Sequence, residues 1–387
     1  MQRIISIDVL RGLVMVIMAL DHARDYFHHG AILGQDPMDL STTTPWLYLT
    51  RWITHFCAPV FVFLSGTSAY LMARRTDPVK ASIFLLTRGL WLVVLELTVI
   101  YFGWTFSPYW PSVMLTVIWA IGIGFIVLGL LIRLPTRFVG FLGLLIVFVH
   151  NAFDGIVIDD PAWFSVLWSI LHVNGSFEPI AGHVVLVGYP VLPWIGIMLT
   201  GYACGGLWSK GVTAQDRQGT LARMGITAIG LFLLLRLINL YGDSHHWTMH
   251  IDPVTTMMSF LDTTKYPPSL LFTCMTLGPS LLLLSWLESH DVRRNFLVVF
   301  GRVPLFYYIL HIYVLHAAAW IAALAMGYGW TQFDVATGFG GIPSGFGFSL
   351  PWVYVIWICV VAALYPLCRW YDGYRMANRH RAWLRYL

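Results

Sequence analysis

Hydrophobic residues follow one another in runs of about twenty along most of this chain, and polar residues gather between the runs. A helical run of that length crosses a hydrocarbon layer of ~30 Å. The runs lack the alternation of a barrel strand, so helices are the expected spanning elements. The predicted spans are 5–25, 50–72, 84–104, 112–132, 138–152, 186–208, 222–242, 267–287, 302–327 and 350–368.

Two further apolar stretches, 161–172 and 253–261, are broken by polar residues and indicate interfacial pieces rather than crossings. No internal repeat and no second soluble region is visible in the sequence. The pattern therefore predicts an all-α fold, a polytopic membrane helix bundle of about ten transmembrane helices. Residues 1–387 are expected to form a single domain.

Composition narrows the class of protein further. Hydrophobic residues make up 58% of the chain and charged residues 11%, whereas soluble domains carry about 25% charged residues. The lipid bilayer is therefore the expected partner, and no nucleic acid is. The five cysteines sit in or beside apolar runs without CxxC spacing, which indicates buried free thiols rather than a disulfide framework or a zinc site.

Charge asymmetry predicts the orientation. Lysine and arginine collect on the side of the N-terminus, whereas the long loops 153–185, 243–266 and 328–349 on the other side collect aspartate and histidine. By the positive-inside rule, both termini are predicted to be cytoplasmic. The positive side holds Arg3, Arg11, Arg74, Arg75, Lys80, Arg88, Arg133, Arg137, Lys210, Arg217, Arg223, Arg293, Arg294, Arg302, Arg369, Arg375, Arg379, Arg381 and Arg385.

The first predicted span carries the most ionisable residues, which are costly in a membrane and mark function by default. Asp8 and Arg11 at its inner end and His22 and Asp25 at its outer end recur at spacings of three and four, so they share one helix face. The two pairs lie roughly 20 Å apart at 1.5 Å per residue. An ion pair that seats the helix end explains Asp8 and Arg11 equally well.

His22 is a candidate general base. It lies in the segment DHARD, between Asp21 and Asp25. A carboxylate that hydrogen-bonds an imidazole fixes its tautomer and raises its basicity. Asp21 or Asp25 is therefore expected to orient His22.

Two more histidines lie inside predicted spans. His55 lies about a turn inside the second span, where Pro59 is predicted to kink the helix. His311 lies near the middle of the ninth, and Tyr307, a turn earlier, could hydrogen-bond to it. Either histidine can instead be a structural residue whose hydrogen bonds are satisfied inside the bundle. If they converge with His22 on a cavity that opens outward, the set suits general base chemistry on a hydroxyl or amine.

Other chemistry is not supported by the sequence. It contains no GxSxG elbow, no HExxH metal motif and no phosphate loop, so neither a serine hydrolase nor a metal site is expected. Polar residues near the outer ends of the spans are candidates for binding a substrate. They are Arg24, Arg51, Arg236, Asn239, Lys265 and Tyr266.

Four segments carry a resemblance to a known family. They are RIISIDVLRGLVMVIMALDH, THFCAPVFVFLSGTSAYL, PWIGIMLTGYACG and GRVPLFYYILH. The chain resembles the catalytic domain of heparan-α-glucosaminide N-acetyltransferase, especially its short bacterial relatives. The resemblance matches the family's Asp and Arg to Asp8 and Arg11. His22 and His55 stand where the animal enzyme has asparagine and aspartate, and Pro45 stands near its loop histidine.

The resemblance implies a membrane-embedded acyltransferase with a cytoplasmic acetyl-CoA site, a passage through the helices and an acceptor sugar or glycan on the opposite face. It also implies a homodimer and a bacterial inner membrane. His22 is then expected to take a proton from the acceptor, with His55 or His311 sharing that role or stabilising the oxyanion. The donor site is expected at Asp8, Arg11, Arg74, Arg75 and Arg302.

Two other functions stay open. Histidines and carboxylates inside a membrane also build proton relays, so a proton-coupled transporter is the main alternative, although no repeated halves are visible. A membrane scaffold protein with vestigial catalytic residues is the third.

Overall fold

Helices make up most of the chain in the computed structural model, which describes residues 4–158, 161–292, 295–336, 339–378 and 380–385. Of the predicted cytoplasmic charges, Arg3, Arg293, Arg294 and Arg379 lie outside these residues. Within them, eight helical segments are long and apolar enough to cross a membrane, which confirms the predicted all-α, polytopic bundle. They are Pro45–Ala73, Pro78–Thr105, Thr136–Phe153, Val191–Trp208, Ala214–Ile238, Leu270–Glu288, Pro304–Ala325 and Leu350–Ala377.

The first and fourth predicted spans are also helical. Helix α1 (Ile5–Phe27) is 23 residues long, but it carries too many charges to resemble an ordinary span. Helix α7 (Val117–Leu131) is apolar but has only 15 residues. The cytoplasmic position of the termini and the single domain stay predictions.

The second span begins earlier than predicted and is broken. Short helix α2 (His29–Ile32) is followed by α3 (Pro45–Thr54), whose N-cap Thr44 accepts a hydrogen bond from the Leu47 backbone N–H. Helix α4 (Cys57–Ala73) then starts after a break at His55. Pro59 therefore lies in the first turn of α4. Backbone N–H groups in the first turn have no partner within the helix, so the absence of an N–H on proline costs no hydrogen bond there.

The third span is one continuous helical segment with a local change of winding. Helix α5 (Pro78–Leu95) runs into a π-helical turn at Glu96–Ile100 and then into α6 (Tyr101–Thr105). Single π turns within α-helices are frequent at functional sites. Glu96 is the first residue of this turn and lies in the C-terminal third of the segment.

The prediction of a helix from residue 112 is wrong. Residues Ser112–Leu115 form strand β1, which pairs in parallel with β3 (His183–Val187). Strand β2 (Gly175–Ile180) pairs antiparallel on the other side of β3. The backbone groups of β1 are thus satisfied by a neighbouring strand, and α7 begins only after it. Apolar strand residues of this kind cannot be told from the start of a helix by hydropathy alone.

The remaining helices complete the bundle. The two predicted interfacial pieces are α9 and α12, which have 10 and 9 residues and are too short to cross. The order is α8 (Thr136–Val149), a 3-10 turn at His150–Phe153, α9 (Ala162–Leu171), α10 (Val191–Cys204), a 3-10 turn at Gly205–Trp208, α11 (Ala214–Ile238), α12 (Pro253–Leu261), α13 (Leu270–Glu288), α14 (Leu297–Arg302), α15 (Pro304–Ala325) and α16 (Leu350–Ala377), with short 3-10 turns at Trp330–Gln332, Phe339–Gly341 and Ala382–Arg385.

Helix α1 lies inside the bundle and contacts α3, α4, α13, α14, α15 and α16. Its closest crossing is with α14, where Gly12 faces the Leu297 carbonyl and Gly301 faces the Asp8 carbonyl. A Cβ on either glycine would overlap the facing carbonyl oxygen. Small residues of this kind let membrane helices approach closely. The polar stripe of α1 is therefore enclosed by other helices.

Candidate active site

A polar cavity of about 500 Å³ lies at the C-terminal end of α1. That volume falls within the usual range of small-molecule sites. Its walls come from α1, α3, the π turn, β1, α15 and the loops before α10 and α13. The predicted site residues that line it are Asp21, His22, Arg24, Asp25, Arg51, Lys265 and Tyr266.

His22 is paired with His311 of α15. Nδ1 of His22 lies 2.6 Å from Nε2 of His311, and the two rings stack with centroids 4.9 Å apart. His311 is fully buried, while His22 lines the cavity. The predicted meeting of α1 and α15 histidines therefore takes the form of a direct hydrogen bond.

The hydrogen bonds assign the tautomers of this pair. Nδ1 of His311 lies 2.9 Å from the backbone carbonyl of Tyr307. A carbonyl only accepts, so Nδ1 of His311 donates and its Nε2 accepts from Nδ1 of His22. Nε2 of His22 is then left with a lone pair. The backbone carbonyl of Tyr307 thus accepts the hydrogen bond from His311. The Tyr307 side chain makes only a stacking contact with His311, with ring centroids 5.1 Å apart.

The acidic neighbours of His22 bind arginines. Asp21 pairs with Arg24 at 3.0 Å and with Arg51 at 2.5 Å, and Asp25 pairs with Arg24 at 2.6 Å. The expected orientation of His22 by Asp21 or Asp25 is therefore replaced by the pairing with His311. Guanidinium groups are always charged and bind carboxylates more strongly than a neutral imidazole does.

A cationic wall faces this network. Lys265 is buried, and its Nζ lies 5.0 Å from the ring centre of Tyr266. The Tyr266 hydroxyl lies 3.5 Å from that of Tyr189. Burial raises the pKa of Tyr266, but the charges of Lys265 and Arg51 outweigh burial and leave that pKa below its usual value. These groups can donate hydrogen bonds to negative charge that develops in the cavity.

Several groups of the cavity wall were not predicted from the sequence, among them Glu96 and Tyr308. Glu96 is almost fully buried, and one of its carboxylate oxygens accepts from the Thr116 backbone N–H at 3.0 Å. Its other oxygen has no hydrogen-bond partner among the described residues. Tyr308 also lines the cavity. Its position three residues before His311 was a usable signal, because residues at that spacing share a helix face.

His55 does not join the pair. It is buried, its ring lies 5.4 Å from that of Phe272, and the described lining of the cavity does not include it. Its Nδ1 has no hydrogen-bond partner in the described part of the chain. A catalytic role for His55 stays a prediction without support from the cavity geometry.

Arg236 and Asn239 hold a loop instead of facing the cavity. Arg236 is buried and donates to the backbone carbonyls of Phe260, Ser259, His245 and Asp262. Asn239 exchanges hydrogen bonds with the Trp247 backbone at 3.0 and 3.2 Å. These contacts explain both side chains as supports of the segment 243–262.

A second cavity, of about 260 Å³, lies beside the N-terminal half of α1, the half predicted to face the cytoplasm. Arg11 and Arg88 line it together with Ser65, Ser68 and apolar side chains. Arg11 donates to Ser68 Oγ at 2.6 Å and to the Gly301 carbonyl at 3.2 Å. Eleven residues separate Arg11 from His22, so the two cavities flank one helix about 16 Å apart.

The other predicted donor residues, Asp8, Arg74, Arg75 and Arg302, are not in the described lining of this cavity. Arg302 pairs with Asp372 at 3.2 Å and lies 3.9 Å from Asp8, which ties α14 to α16 and α1. Arg74 and Arg75 are exposed at the end of α4.

Together the bundle and the enclosed histidine cavity define a polytopic membrane protein with an enzyme-like site. The family model for heparan-α-glucosaminide N-acetyltransferase, catalytic, matches residues 3–235. The chain belongs to this family, which is one of N-acetyltransferases. No curated protein matches the chain. His22 and Glu96 lie within the matched segment, whereas Lys265, Tyr308 and His311 lie beyond it.

Proposed function

We propose that the protein transfers an acetyl group from cytoplasmic acetyl-CoA to an amino or hydroxyl group of a sugar or glycan on the opposite side of the membrane. His22 is the general base. The observation that carries this proposal is the hydrogen-bonded series from the Tyr307 carbonyl through His311 to His22. It leaves Nε2 of His22 unprotonated on a ring that lines a cavity.

The reaction follows from this geometry. Nε2 of His22 takes the proton of the acceptor N–H or O–H as that atom attacks the thioester carbonyl carbon. The resulting oxyanion accepts hydrogen bonds from cationic or hydroxyl groups such as Lys265 and Tyr308. The intermediate collapses by breaking the C–S bond, and His22 returns the proton to the departing CoA thiolate. The products are the acetylated acceptor and CoA, and His311 positions His22 throughout.

The inner cavity is the proposed donor site. Arg11 and Arg88 supply positive charge where the phosphates of acetyl-CoA would bind, and arginine suits phosphate through its planar fork of donors. The thioester then has to follow α1 outward to reach His22. Family membership supports acetyl as the transferred group.

The outer cavity suits a sugar acceptor. The Trp104 ring lies 4.7 Å from that of His22 and offers an aromatic face, and Tyr101 also lines the wall. Arginine, lysine and carboxylate groups alternate around them, so hydroxyl and amino groups find both donors and acceptors. The bacterial inner membrane and a homodimer stay predictions that rest on resemblance.

Acetyl transfer from labelled acetyl-CoA to a panel of amino sugars and neutral sugars tests the proposal. Wild-type protein in detergent is expected to label at least one acceptor. His22→Ala should lower the rate by ~10²–10⁴-fold, the usual contribution of a general base. His183→Ala, at an exposed histidine on β3, should not.

Two results would contradict the proposal. Full activity of His22→Ala would remove His22 as the base. Proton movement across vesicles without acetyl transfer to any acceptor would favour the transporter instead.

A further inference from the structure

Three side chains of metal-ligand type meet at the outer end of α8. His150 opens the 3-10 turn, Asp154 follows that turn, and His172 caps the C-terminus of α9. One ligand atom from each lies within 4.8 Å of the other two. None of the three lines the cavity around His22.

Both imidazoles are buried with unsatisfied nitrogens. His150 is 1% exposed and His172 is 0% exposed. Three ring nitrogens have no hydrogen-bond partner within the described residues. They are both nitrogens of His150 and Nδ1 of His172. Buried polar atoms are nearly always paired, and exceptions require an explanation such as an ion.

Neighbouring groups hold these ligands in place. The Asn151 amide donates to one oxygen of Asp154 at 2.8 Å, and its own carbonyl oxygen accepts from the Leu270 backbone N–H at 2.9 Å. The other oxygen of Asp154 faces Nε2 of His172 at 3.0 Å. Asn151 therefore fixes the Asp154 carboxylate, as hydrogen-bonding neighbours fix the carboxylate ligands of known metal sites.

Aromatic side chains pack beside the His172 ring of the cluster. The ring of Trp168 lies 5.0 Å from that of His172, and the ring of Phe153 lies 6.4 Å from it. The Trp168 indole N–H donates to the Ile156 carbonyl at 3.0 Å, which folds the connecting segment over the site. A low-polarity shell strengthens the binding of a cation to a carboxylate.

We propose that His150, Asp154 and His172 bind one divalent transition-metal ion, with Zn²⁺ as the best match, and that a water completes the coordination. Two imidazoles and a carboxylate form a common zinc ligand set. Ligands ~2.1 Å from a tetrahedral ion lie ~3.4 Å apart. The three ligand atoms already lie within 4.8 Å of one another, so small side-chain movements bring them to that spacing. The ion ties the segment between α8 and α9 to the bundle.

Short metal-binding motifs such as HExxH are absent from the sequence, so the sequence alone predicts no metal. His150 and His172 are separated by a 3-10 turn and a whole helix, so no HExxH-like spacing exists between them. His150 and His172 come together only because the C-terminus of α9 lies close to the C-terminus of α8 in the folded protein.

Metal binding to the purified, EDTA-treated full chain, carrying an affinity tag without histidine, tests this proposal. We expect one Zn²⁺ per chain by elemental analysis after gel filtration, and a higher melting temperature with Zn²⁺, because an ion that binds only the folded state stabilises it. Co²⁺ should give the visible absorption of a four-coordinate site. These readouts do not depend on acetyl transfer, so they separate this proposal from the proposed function.

Variants assign the ligands. His150→Ala and His172→Ala should each abolish the Co²⁺ spectrum and the Zn²⁺-dependent rise in melting temperature. His246→Ala removes an exposed histidine of another outer loop and should leave both unchanged. Absence of stoichiometric Zn²⁺ and Co²⁺ binding by the wild-type chain would overturn the proposal, as would unchanged binding in His150→Ala.

Discussion

The reactivity of His22 depends on the partners of its two ring nitrogens. Nδ1 is engaged by His311 at 2.6 Å, and His311 is in turn anchored by the Tyr307 carbonyl. A base held by a second group that fixes its tautomer is the arrangement seen in many catalytic triads. Here the second group is a neutral imidazole instead of a carboxylate, because arginines bind the nearby carboxylates.

Substitution of His311 tests this arrangement. His311→Ala removes the acceptor for Nδ1 of His22 and should lower kcat by ~10–100-fold, as loss of an orienting partner does elsewhere, with little change in KM. His311→Gln should recover part of kcat, because its amide oxygen can accept the same hydrogen bond. Equal kcat values for both variants and the wild type would contradict a positioning role.

At the scale of single elements, α1 depends on its crossing with α14. Gly12 and Gly301 leave room for the carbonyls of the facing helix. The crossing keeps Asp8 and Arg11 buried or half-buried at the inner end of α1 and places His22 against α15. Helix packing therefore controls the site.

Gly301→Ala should destabilise the protein. A methyl group there meets the Asp8 carbonyl, and overpacking of this kind costs ~1–3 kcal/mol, which thermal unfolding in detergent would detect as a lower melting temperature. Gly373→Ala is the matched control, because nothing lies within 4 Å of a Cβ at that position of α16. A melting temperature for Gly301→Ala equal to that of Gly373→Ala would show that the close crossing is not required.

Local patterns predicted these elements well, but not the contacts between them. Hydropathy located all ten helical runs, and the spacing of three and four along α1 identified its polar stripe. The strand at Ser112–Leu115 depends on pairing with β3, which lies far along the chain and which local hydropathy does not report. The π turn at Glu96 is a change of winding within a continuous apolar helix, so hydropathy does not report it either. The pairing of His22 with His311 spans 289 residues and follows only from helix packing.

At the scale of the whole molecule, two cavities flank α1, and their charges differ in kind. The inner one is lined by Arg11 and Arg88. The outer one mixes carboxylates with arginine, lysine and histidine. This division suits a phosphate-bearing donor on one side and an uncharged or weakly charged acceptor on the other.

Removal of the inner positive charge should weaken donor binding. Arg11→Ala and Arg88→Ala are each expected to raise the Kd of acetyl-CoA by roughly 10–100-fold, as loss of a charge-assisted hydrogen bond does. Arg133→Ala, an exposed arginine of the same predicted side, is the control. Isothermal titration with acetyl-CoA measures all three, and an unchanged Kd for both cavity variants would place the donor elsewhere.

The proposed function requires that a thioester from one side of the membrane reaches His22 near the other side. Acetyl transfer across sealed proteoliposomes tests it, with membrane-impermeant labelled acetyl-CoA outside and the sugar acceptor trapped inside. Labelled acceptor should accumulate in the lumen with wild-type protein and not with His22→Ala. Labelling only when donor and acceptor share one compartment would contradict it.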